Sequence, residues 1–485
     1  MTKSLVKEAI KSVLHNPDYG YNGRIHDIRR QEYSHIGGCS VFECADVLET
    51  IYLDHAGATI YPVSIVHDHC DDLATRLLSN PHSQSPSSIA TGDRISAVRR
   101  RVLHAFNADP EFFDLVFVAN ATAGIKLIAD GFSGSAEGFR YKYLQDSHTS
   151  LVGASELAAE REVLSEEEVK KWLMSGDIVQ EDSKPGLFAY PAQSNFNGRR
   201  FPLDWPARLR ENGSGWYSLL DASSYLTTTP LDYSNLTNAP DFTVFSFYKI
   251  FGYPDLGGVI VRRTAGHMLI QRRFFGGGTR AALTVDAFNL PRDEPHEALE
   301  DGTLPFHTIL ALEHAYSNFS RLFGSQINVA RHAAQVTRLA YTLLSTLRYD
   351  NGQPACRIYS SLNHGPIIMF NLLTPEGVPI GFLSFEKLAT VHNFAVRTGG
   401  MCNPGGLQKY LEFPDGELER AFLAGKVCGD STDIVDGRIF GAIRISFGAC
   451  SSIEEVWAFV SFIQKNYVEK KKKIVLWRSM GRLFK

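Results

Sequence analysis

The sequence predicts an α/β fold with two lobes: a large lobe in which helices cover a mainly parallel β-sheet, and a smaller C-terminal α+β lobe. Three observations support this prediction. The 485 residues are enough for a large buried core. Short apolar segments alternate with helical patterns from residue 51 to about residue 305. After residue 305 two long helical patterns precede further strands.

The elements of the large lobe follow from this alternation. A short apolar strand at residues 51–53 comes first, and a helix is predicted at residues 122–132. Further strands are predicted at residues 114–119, 186–190, 217–221, 242–246 and 257–262. Buried strands that alternate with helices are typical of a parallel sheet covered on both faces.

The smaller lobe is predicted to contain helices at residues 308–323 and 327–347 and strands at residues 357–359, 367–372 and 442–447. We therefore divide the chain into four parts, which are a helical arm at residues 1–50, a large domain at 51–305, a small domain at 306–465 and a basic tail at 466–485. The arm is expected to pack on the small domain.

Composition and charge exclude several classes of function. The formal net charge of -4 does not favour nucleic acid as a partner. No apolar run approaches the roughly 20 residues that a membrane span needs, and the N-terminus has no apolar stretch typical of a secretory signal. Seven cysteines without a CxxC pair or zinc-finger spacing indicate a reducing compartment. We expect a cytosolic protein without a metal, a membrane or a nucleic-acid partner.

The segment Ser246-Phe-Tyr-Lys-Ile-Phe-Gly252 is the most informative part of the sequence. It places Lys249 directly after a strand, beside hydroxyl groups and before glycines. This arrangement is typical of a lysine that bonds the aldehyde of pyridoxal 5'-phosphate (PLP), while hydroxyls and backbone N–H groups hold the phosphate. An ordinary loop lysine has the same spacing, so the other motifs of the sequence are needed to distinguish a cofactor lysine from a loop lysine.

Four residues elsewhere suit the same cofactor. Thr122 lies at a helix start, where free N–H groups attract phosphate. Asp221 ends an apolar strand and can pair with a protonated pyridine nitrogen. The ring of His148 can stack on the cofactor and exchange protons, and Asn195 can donate to the ring oxygen. A capping aspartate and a structural histidine are the alternatives.

Cys402 and Arg444 are the candidates for contact with a substrate. Cys402 lies in Arg397-Thr-Gly-Gly-Met-Cys-Asn-Pro-Gly-Gly406, and its glycines and proline predict a mobile, exposed loop. A thiol there can reach into a site, ionise near Arg397 and carry sulfur out. Arg444 lies within an apolar strand and needs an anionic partner. A substrate carboxylate fits that need, and so does a structural salt bridge.

Together these segments resemble the class V aminotransferase-like family, in particular its cysteine-desulfurase branch, and within it the N-terminal part of the eukaryotic molybdenum cofactor sulfurases. The matching segments follow the family's order between about residues 30 and 465. They are Tyr52-Leu-Asp-His-Ala-Gly-Ala-Thr59, Asn80-Pro-His-Ser-Gln84, Asp146-Ser-His-Thr-Ser150, Tyr190-Pro-Ala-Gln-Ser-Asn-Phe196, Ser246-Phe-Tyr-Lys-Ile-Phe-Gly252, Phe275-Gly-Gly-Gly-Thr279, Glu300-Asp-Gly-Thr303, Gly425-Lys-Val-Cys-Gly-Asp430 and Arg444-Ile-Ser-Phe-Gly448.

The resemblance implies a PLP-dependent transferase of fold type I. The family's cofactor-binding positions correspond to Lys249, Asp221, Asn195, His148, Thr122, Ser246, Tyr248 and Thr279. Tyr248 stands where many desulfurases carry histidine. Thr279 matches a position that reaches the phosphate of the other subunit, which implies a homodimer with shared sites.

The resemblance also implies a reaction. L-cysteine is the implied substrate, with Arg444, Arg397 and His55 as substrate-binding residues. Lys249, His148 and Cys402 are the implied catalytic residues; Cys402 takes the sulfur as a persulfide and L-alanine is released.

Three points stay open at this stage. The related sulfurases pass the sulfur to the molybdenum cofactor, replacing an oxo ligand, and they continue into a C-terminal cofactor-binding domain, whereas this sequence stops at Lys485. The acceptor, the molybdenum cofactor or a protein carrying it, is therefore open. A C–S lyase or another PLP enzyme of specialised metabolism can use the same scaffold. A scaffold without chemistry is the third alternative.

Overall fold

The computed structural model describes residues 3–36, 50–175, 184–211, 215–286, 288–427 and 429–469. Cys39, Cys44, Cys428 and most of the predicted basic tail lie outside these residues. The N-terminal arm contains α1 (Lys3–Leu14), α2 (Gly20–Gly23) and α3 (Ile25–Glu32), followed by a 3₁₀ turn at Ser34–Ile36.

The next part of the chain alternates strands and helices, as the sequence predicts. Its elements are β1 (Ile51–Tyr52), α4 (Val63–Thr75), α5 (Pro86–Ala105), β2 (Phe113–Val118), α6 (Ala121–Ser133), β3 (Arg140–Leu144), α7 (Thr149–Ala154), β4 (Glu160–Leu164), α8 (Glu166–Met174), β5 (Gly186–Pro191), α9 (Trp205–Glu211), β6 (Trp216–Asp221), β7 (Phe242–Ser246), α10 (Tyr248–Phe251), β8 (Gly257–Arg262), α11 (Gly266–Ile270), β9 (Arg280–Leu283), β10 (Asn289–Pro291) and α12 (Pro295–Leu299).

Seven of these strands form the central sheet, in the order β2-β8-β7-β6-β5-β3-β4. β8 is antiparallel to both of its neighbours, and the other four pairs are parallel. The predicted mainly parallel α/β sheet is therefore confirmed. β5 and β7 are buried along their whole length, because apolar side chains fill both faces. β4 was not predicted from the sequence, because four of its five side chains are exposed and it is not an apolar segment.

The C-terminal part contains a smaller sheet. Its elements are α13 (Phe306–Phe323), α14 (Gln326–Thr346), β11 (Cys356–Ile358), β12 (Ile367–Leu372), α15 (Phe382–Val391), β13 (Phe394–Ala395), β14 (Arg397–Gly399), α16 (Pro404–Tyr410), α17 (Glu417–Leu423), β15 (Ile434–Val435), β16 (Arg438–Ile439), β17 (Ala442–Ser446) and α18 (Ile453–Ile463). Four strands form an antiparallel sheet in the order β11-β12-β17-β14. β1 pairs in parallel with β13.

One hydrophobic core joins the arm to the smaller sheet. Val6 and Val13 of α1 lie in the same cluster as Leu339 and Leu343 of α14. The arm therefore packs on elements that the sequence analysis assigned to the small domain. The boundaries at residues 50, 305 and 465 stay predictions.

The predicted helices agree closely with the structure. α6 extends the prediction by one residue at each end, and α13 and α14 begin within two residues of the predicted starts. Both ends of α6 are marked in the sequence, since Asn120 caps its start and Gly134 follows its end. Within the described ranges, no helix is both long and apolar enough to cross a lipid bilayer.

Candidate active site

A pocket lies at the carboxyl ends of the parallel strands β3, β5, β6 and β7, where the following loops converge. Seven residues that the sequence singled out line this pocket: Thr122, His148, Asn195, Asp221, Ser246, Tyr248 and Lys249. Asn120, Ser150, Gln193 and Ser223 line it as well. The strand-end positions that suggested a shared site are therefore brought together by the fold.

Lys249 follows β7 in the first turn of α10 and is half-buried. Burial lowers the pKa of its amine, and the negative charge of Asp221 opposes that shift. A lysine whose ammonium form is disfavoured supplies a neutral amine, which is the form that attacks an aldehyde.

His148 follows β3 and Asp221 ends β6, and β5 lies between these two strands in the sheet. Burial lowers the pKa of His148; the charge of Asp221 opposes the shift and that of Lys249 adds to it. Nδ1 of His148 accepts the backbone N–H of Ser150 at 3.1 Å, which leaves the ring proton on Nε2. Oδ1 of Asp221 accepts the N–H of Ser223 at 2.9 Å. Both residues thus also have the local structural roles that the sequence left open.

Hydroxyl and N–H donors gather at the start of α6, on another wall of the pocket. Asn120 caps this helix by accepting the N–H of Ala123 at 3.0 Å, and Ser246 Oγ accepts the N–H of Ala121 at 3.0 Å. The hydroxyls of Thr122 and Ser150 lie 2.9 Å apart. A side chain at Gly257 would lie 2.6 Å from the backbone of Asn120, so glycine is required there.

These groups fit PLP in its three recognisable parts. The start of α6 and its hydroxyls suit the phosphate, Lys249 suits the aldehyde, and the carboxylate of Asp221 suits a cationic ring nitrogen. Ser223 Oγ is buried and has no hydrogen-bond partner among the described residues. A buried hydroxyl in that state indicates that the pocket is built for a polar ligand.

Arg444 lies on β17 opposite Arg397 of β14 and is 3% exposed. Its Nη2 donates to Oδ1 of Asp54 at 2.6 Å, and its Nη1 donates to the carbonyl of Asn195 at 2.8 Å. Nη1 of Arg397 lies 3.5 Å from Oδ2 of Asp54. The salt bridge that the sequence left as an alternative for Arg444 is therefore present, next to the pocket-lining residue Asn195.

Cys402 is exposed, as its glycine-rich surroundings predict. The loop is also tied to the pocket, which sequence analysis did not foresee. The carbonyl of Cys402 accepts the N–H of Thr149 at 2.8 Å, and that of Met401 accepts Nδ2 of Asn195 at 2.7 Å. The backbone of Cys402 is thus held beside the segment that carries His148.

Five predicted site residues are absent from the pocket lining, namely Arg444, Arg397 and Cys402, described above, and Thr279 and His55. Thr279 is fully buried and donates its hydroxyl to the carbonyl of Gly276 at 2.7 Å. His55 is enclosed, with its Nδ1 2.9 Å from the hydroxyl of Thr59, and burial lowers its pKa to about 3. The interior position of His55 gives no support to substrate contact. The role assigned to Thr279 needs a second subunit and stays a prediction.

Sequence reasoning missed several polar residues of the site, above all Asp54, Asp146 and Asn403. Asp54 stands two residues after β1 and Asp146 two residues after β3. Carboxylates just beyond strand ends were the available signal. Asp54 pairs with Arg444 across 390 positions and Asp146 with Asn403 across 257, so local patterns did not reveal these pairings.

The fold and the pocket together define a PLP-dependent enzyme of fold type I. The chain belongs to the aminotransferase class-V family, whose family model matches residues 51–459. Pyridoxal 5'-phosphate is therefore its cofactor, and the residues described above fit that group.

Two curated relatives are molybdenum cofactor sulfurases. That of Aspergillus terreus is 46% identical over 466 residues, covering 93% of this chain and 55% of the relative. That of Botryotinia fuckeliana is 45% identical over 466 residues, covering 93% of this chain and 56% of the relative. This chain thus spans about half the length of the curated relatives it matches.

Solved structures of cysteine desulfurases have the same fold. The enzyme of Thermococcus onnurineus matches with a TM-score of 0.69 at 18% identity, covering 90% of this chain and 97% of that one. The desulfurase CsdA of Escherichia coli matches with a TM-score of 0.66 at 17% identity, covering 91% and 98%. At such identities the likeness establishes the fold alone.

Proposed function

We propose that this chain is a cysteine desulfurase that converts L-cysteine to L-alanine and carries the released sulfur as a persulfide on Cys402. The position of Cys402 carries the proposal. Its thiol is exposed, and its backbone is bonded to Thr149 next to His148. Burial lowers the pKa of Arg444, and the negative charge of Asp54 opposes that shift. Arg444 donates to the carbonyl of Asn195, and the side chain of Asn195 donates to the carbonyl of Met401, the residue before Cys402.

Each remaining residue of the site has a part in this reaction. Arg444, with Arg397 beside it, binds the carboxylate of cysteine through its guanidinium donors. The α6 start with Thr122 and Ser246, together with Tyr248, holds the phosphate, and Asn195 supports the ring oxygen. When bound, PLP withdraws electrons from the α-carbon of the substrate.

Proton transfer falls to groups on the strand ends. Lys249 would hold the cofactor through its aldehyde, and its neutral amine would remove the α-proton of the substrate. Asp221 would keep the ring nitrogen protonated. His148 lines the same pocket, and its neutral imidazole would offer the Nε2 proton.

The sulfur step makes one bond and breaks another. The thiolate of Cys402 forms an S–S bond with the sulfur of the substrate, and the bond from that sulfur to Cβ breaks. The electron pair of the broken bond goes to Cβ, which takes up one proton and becomes the methyl group of alanine. Release of the sulfur as sulfide then needs an added thiol reductant.

We propose the molybdenum cofactor, or a protein that carries it, as the final acceptor. The support is the 46% identity to a relative named for that activity. We further propose a cytosolic homodimer in which Thr279 contributes to the phosphate site of the other subunit. The seven cysteines without a CxxC pair support a reducing compartment.

Product analysis tests the proposed reaction. The purified holoenzyme is given L-cysteine and dithiothreitol, and alanine, sulfide and pyruvate are quantified. We expect equal amounts of alanine and sulfide, lost in Cys402→Ala. Cys70→Ala, which removes the other exposed free cysteine described, is the matched control and should keep full activity. Pyruvate as product, or activity that survives Cys402→Ala, would contradict the proposal and favour a C–S lyase.

A further inference from the structure

The loop that carries Cys402 has a strained backbone. Gly399 has a φ of 100°, and Met401 and Cys402 have φ values of 57° and 51°. Side chains other than glycine rarely adopt this left-handed region, and two in succession persist only where the surroundings fix them. Met401 is 5% exposed and packs in a cluster with Leu407 and Phe440, which fixes it from one side.

The 145–149 segment fixes the loop from the other side. A side chain at Gly405 would lie 1.9 Å from the carbonyl oxygen of Gln145, so the first turn of α16 rests directly on this backbone. Thr149, at the other end of the segment, donates its N–H to Cys402. His148 lies between these contacts and lines the cofactor pocket. One five-residue segment therefore serves both the cofactor pocket and the cysteine loop.

The carboxylate of Asp146 joins the 145–149 segment to the cysteine loop through hydrogen bonds. It is 2% exposed, and its Oδ1 accepts Nδ2 of Asn403 at 2.6 Å and Oγ of Ser194 at 2.7 Å. Its Oδ2 accepts the hydroxyl of Tyr410 at 2.9 Å. A buried carboxylate depends on such donors, and loss of one leaves it poorly compensated. Two of the three donors, Asn403 and Tyr410, belong to the cysteine loop and the helix after it.

Asn403 follows Cys402 directly and uses both ends of its amide. Its Oδ1 caps α16 by accepting the N–H of Gly406 at 2.7 Å. Its Nδ2 donates to Asp146 and also, at 3.0 Å, to Oδ1 of Asn195. Asn195 in turn donates to the carbonyl of Met401. The residue beside the thiol is therefore bonded to a wall of the cofactor pocket.

We propose that Asp146 and Asn403 are positioning residues that set the place of the Cys402 thiol for sulfur transfer. This inference deepens the proposed function and rests on it. Neither residue lines the pocket, and both hold the loop that carries Cys402, because Asn403 follows Cys402 directly and donates to Asp146. The step they govern is formation of the S–S bond with breakage of the bond from sulfur to Cβ. Removal of the α-proton by Lys249 precedes that step and does not depend on them.

Three variants separate this role from a merely structural one. Asn403→Ser keeps a good helix cap but removes the amide donors to Asp146 and Asn195. Tyr410→Phe removes one donor to Asp146 and keeps the ring stacked on Phe196, with centroids 5.6 Å apart. Asn318→Ser is the matched control, because Asn318 is 4% exposed and donates to a carboxylate, that of Asp68, at 2.6 Å.

Two rates are measured for each holoenzyme with L-cysteine. One is persulfide formation on Cys402, by rapid quench and mass spectrometry. The other is exchange of the cysteine α-proton with deuterium from solvent, by NMR. In Asn403→Ser we expect persulfide formation to slow about ten- to a hundredfold, as for a misplaced reacting group, with exchange within about twofold of wild type.

The controls make each outcome decisive. Tyr410→Phe should slow persulfide formation in the same way but by a smaller factor. If Asn403→Ser does not fold, Tyr410→Phe alone tests the inference. Asn318→Ser should change neither rate. Unchanged persulfide formation in both loop variants, or equal loss of both rates, would overturn the inference. A wild-type enzyme that forms no persulfide would instead refute the proposed function itself, and the inference with it.

Discussion

Nη2 of Arg444 lies 2.6 Å from Oδ1 of Asp54, although the two residues are 390 positions apart in the chain. The arginine side chain is 3% exposed and that of Asp54 is 18% exposed. The arginine proposed to bind the substrate carboxylate therefore already has a carboxylate partner. Nε of Arg444 is buried and, within the described part of the chain, has no hydrogen-bond partner. A substrate carboxylate must therefore either displace Asp54 from the guanidinium of Arg444 or bind that guanidinium alongside Asp54.

Asp54→Asn tests this competition. Loss of the negative charge should lower the free energy of unfolding by about 1–3 kcal/mol, because the buried guanidinium loses its counter-ion. The same loss should strengthen binding of a carboxylate ligand. We expect L-alanine, the proposed product, to raise the melting temperature of this variant more than that of wild type.

The control for that measurement is Asp27→Asn. Asp27 pairs with Arg30 at 3.4 Å, and both side chains are more than 60% exposed. A surface pair of this kind contributes little to stability, so the response to alanine should match wild type. An equal or smaller alanine shift in Asp54→Asn would show that Asp54 supports carboxylate binding and does not compete with it.

His332 makes folding stability depend on pH. It is fully buried, its Nδ1 accepts the N–H of Gly20 at 3.1 Å, and its Nε2 lies 2.8 Å from the carbonyl of Ser451. Burial lowers its pKa from 6.5 to about 4. The unfolded chain takes up this proton below pH 6.5 and the folded chain does not. Stability is therefore full above pH 6.5 and falls as the pH drops toward 4.

His332→Gln removes that titration and keeps an amide donor. The free energy of unfolding in urea is measured at pH 6 and at pH 5. Between these two pH values it should fall less in the variant than in wild type, by about 1.4 kcal/mol per pH unit. His55, whose pKa is lowered to about 3 for the same reason, still titrates in both proteins, so some dependence remains. If the free energy of unfolding fell equally with pH in wild type and in the variant, His332 would not be held neutral in the folded protein.

Lys249→Ala tests the assignment of the cofactor lysine. Borohydride treatment of the wild-type holoenzyme should attach the cofactor covalently to the peptide that contains Lys249, as seen by mass spectrometry. The variant should show no attachment and should lose alanine production by at least about a hundredfold. Lys142→Ala is the control, since Lys142 is 21% exposed on β3 and does not line the pocket. Attachment to another lysine would refute the assignment.

The cofactor part of the site could be predicted from sequence because of how a parallel sheet is built. Asp221 ends a strand, Lys249 and His148 each follow one, and the carboxyl ends of parallel strands meet at one edge. A residue type at a strand end is a local pattern, so a single sequence reveals it. The order of the strands and the antiparallel β8 were not needed for that step.

The long-range links within the site could not be predicted in this way. Asp54 reaches Arg444 across 390 positions, and Asp146 reaches Asn403 across 257. Nothing in the residues around either partner specifies the other. His55 lies in a motif that resembles that of a substrate-binding residue, but the fold encloses its ring against Gly448, so its role in substrate binding stays a prediction. Local patterns identify polar residues near strand ends and do not say which way each side chain turns.

Persulfide mapping on Cys402 tests the central claim most directly. The holoenzyme is mixed with one equivalent of L-cysteine without reductant, quenched with an alkylating reagent and digested for mass spectrometry. We predict one added sulfur atom on Cys402, none on Cys70, and one alanine released per sulfur bound. Alanine without added sulfur on Cys402, or sulfur found only on another cysteine, would contradict this prediction.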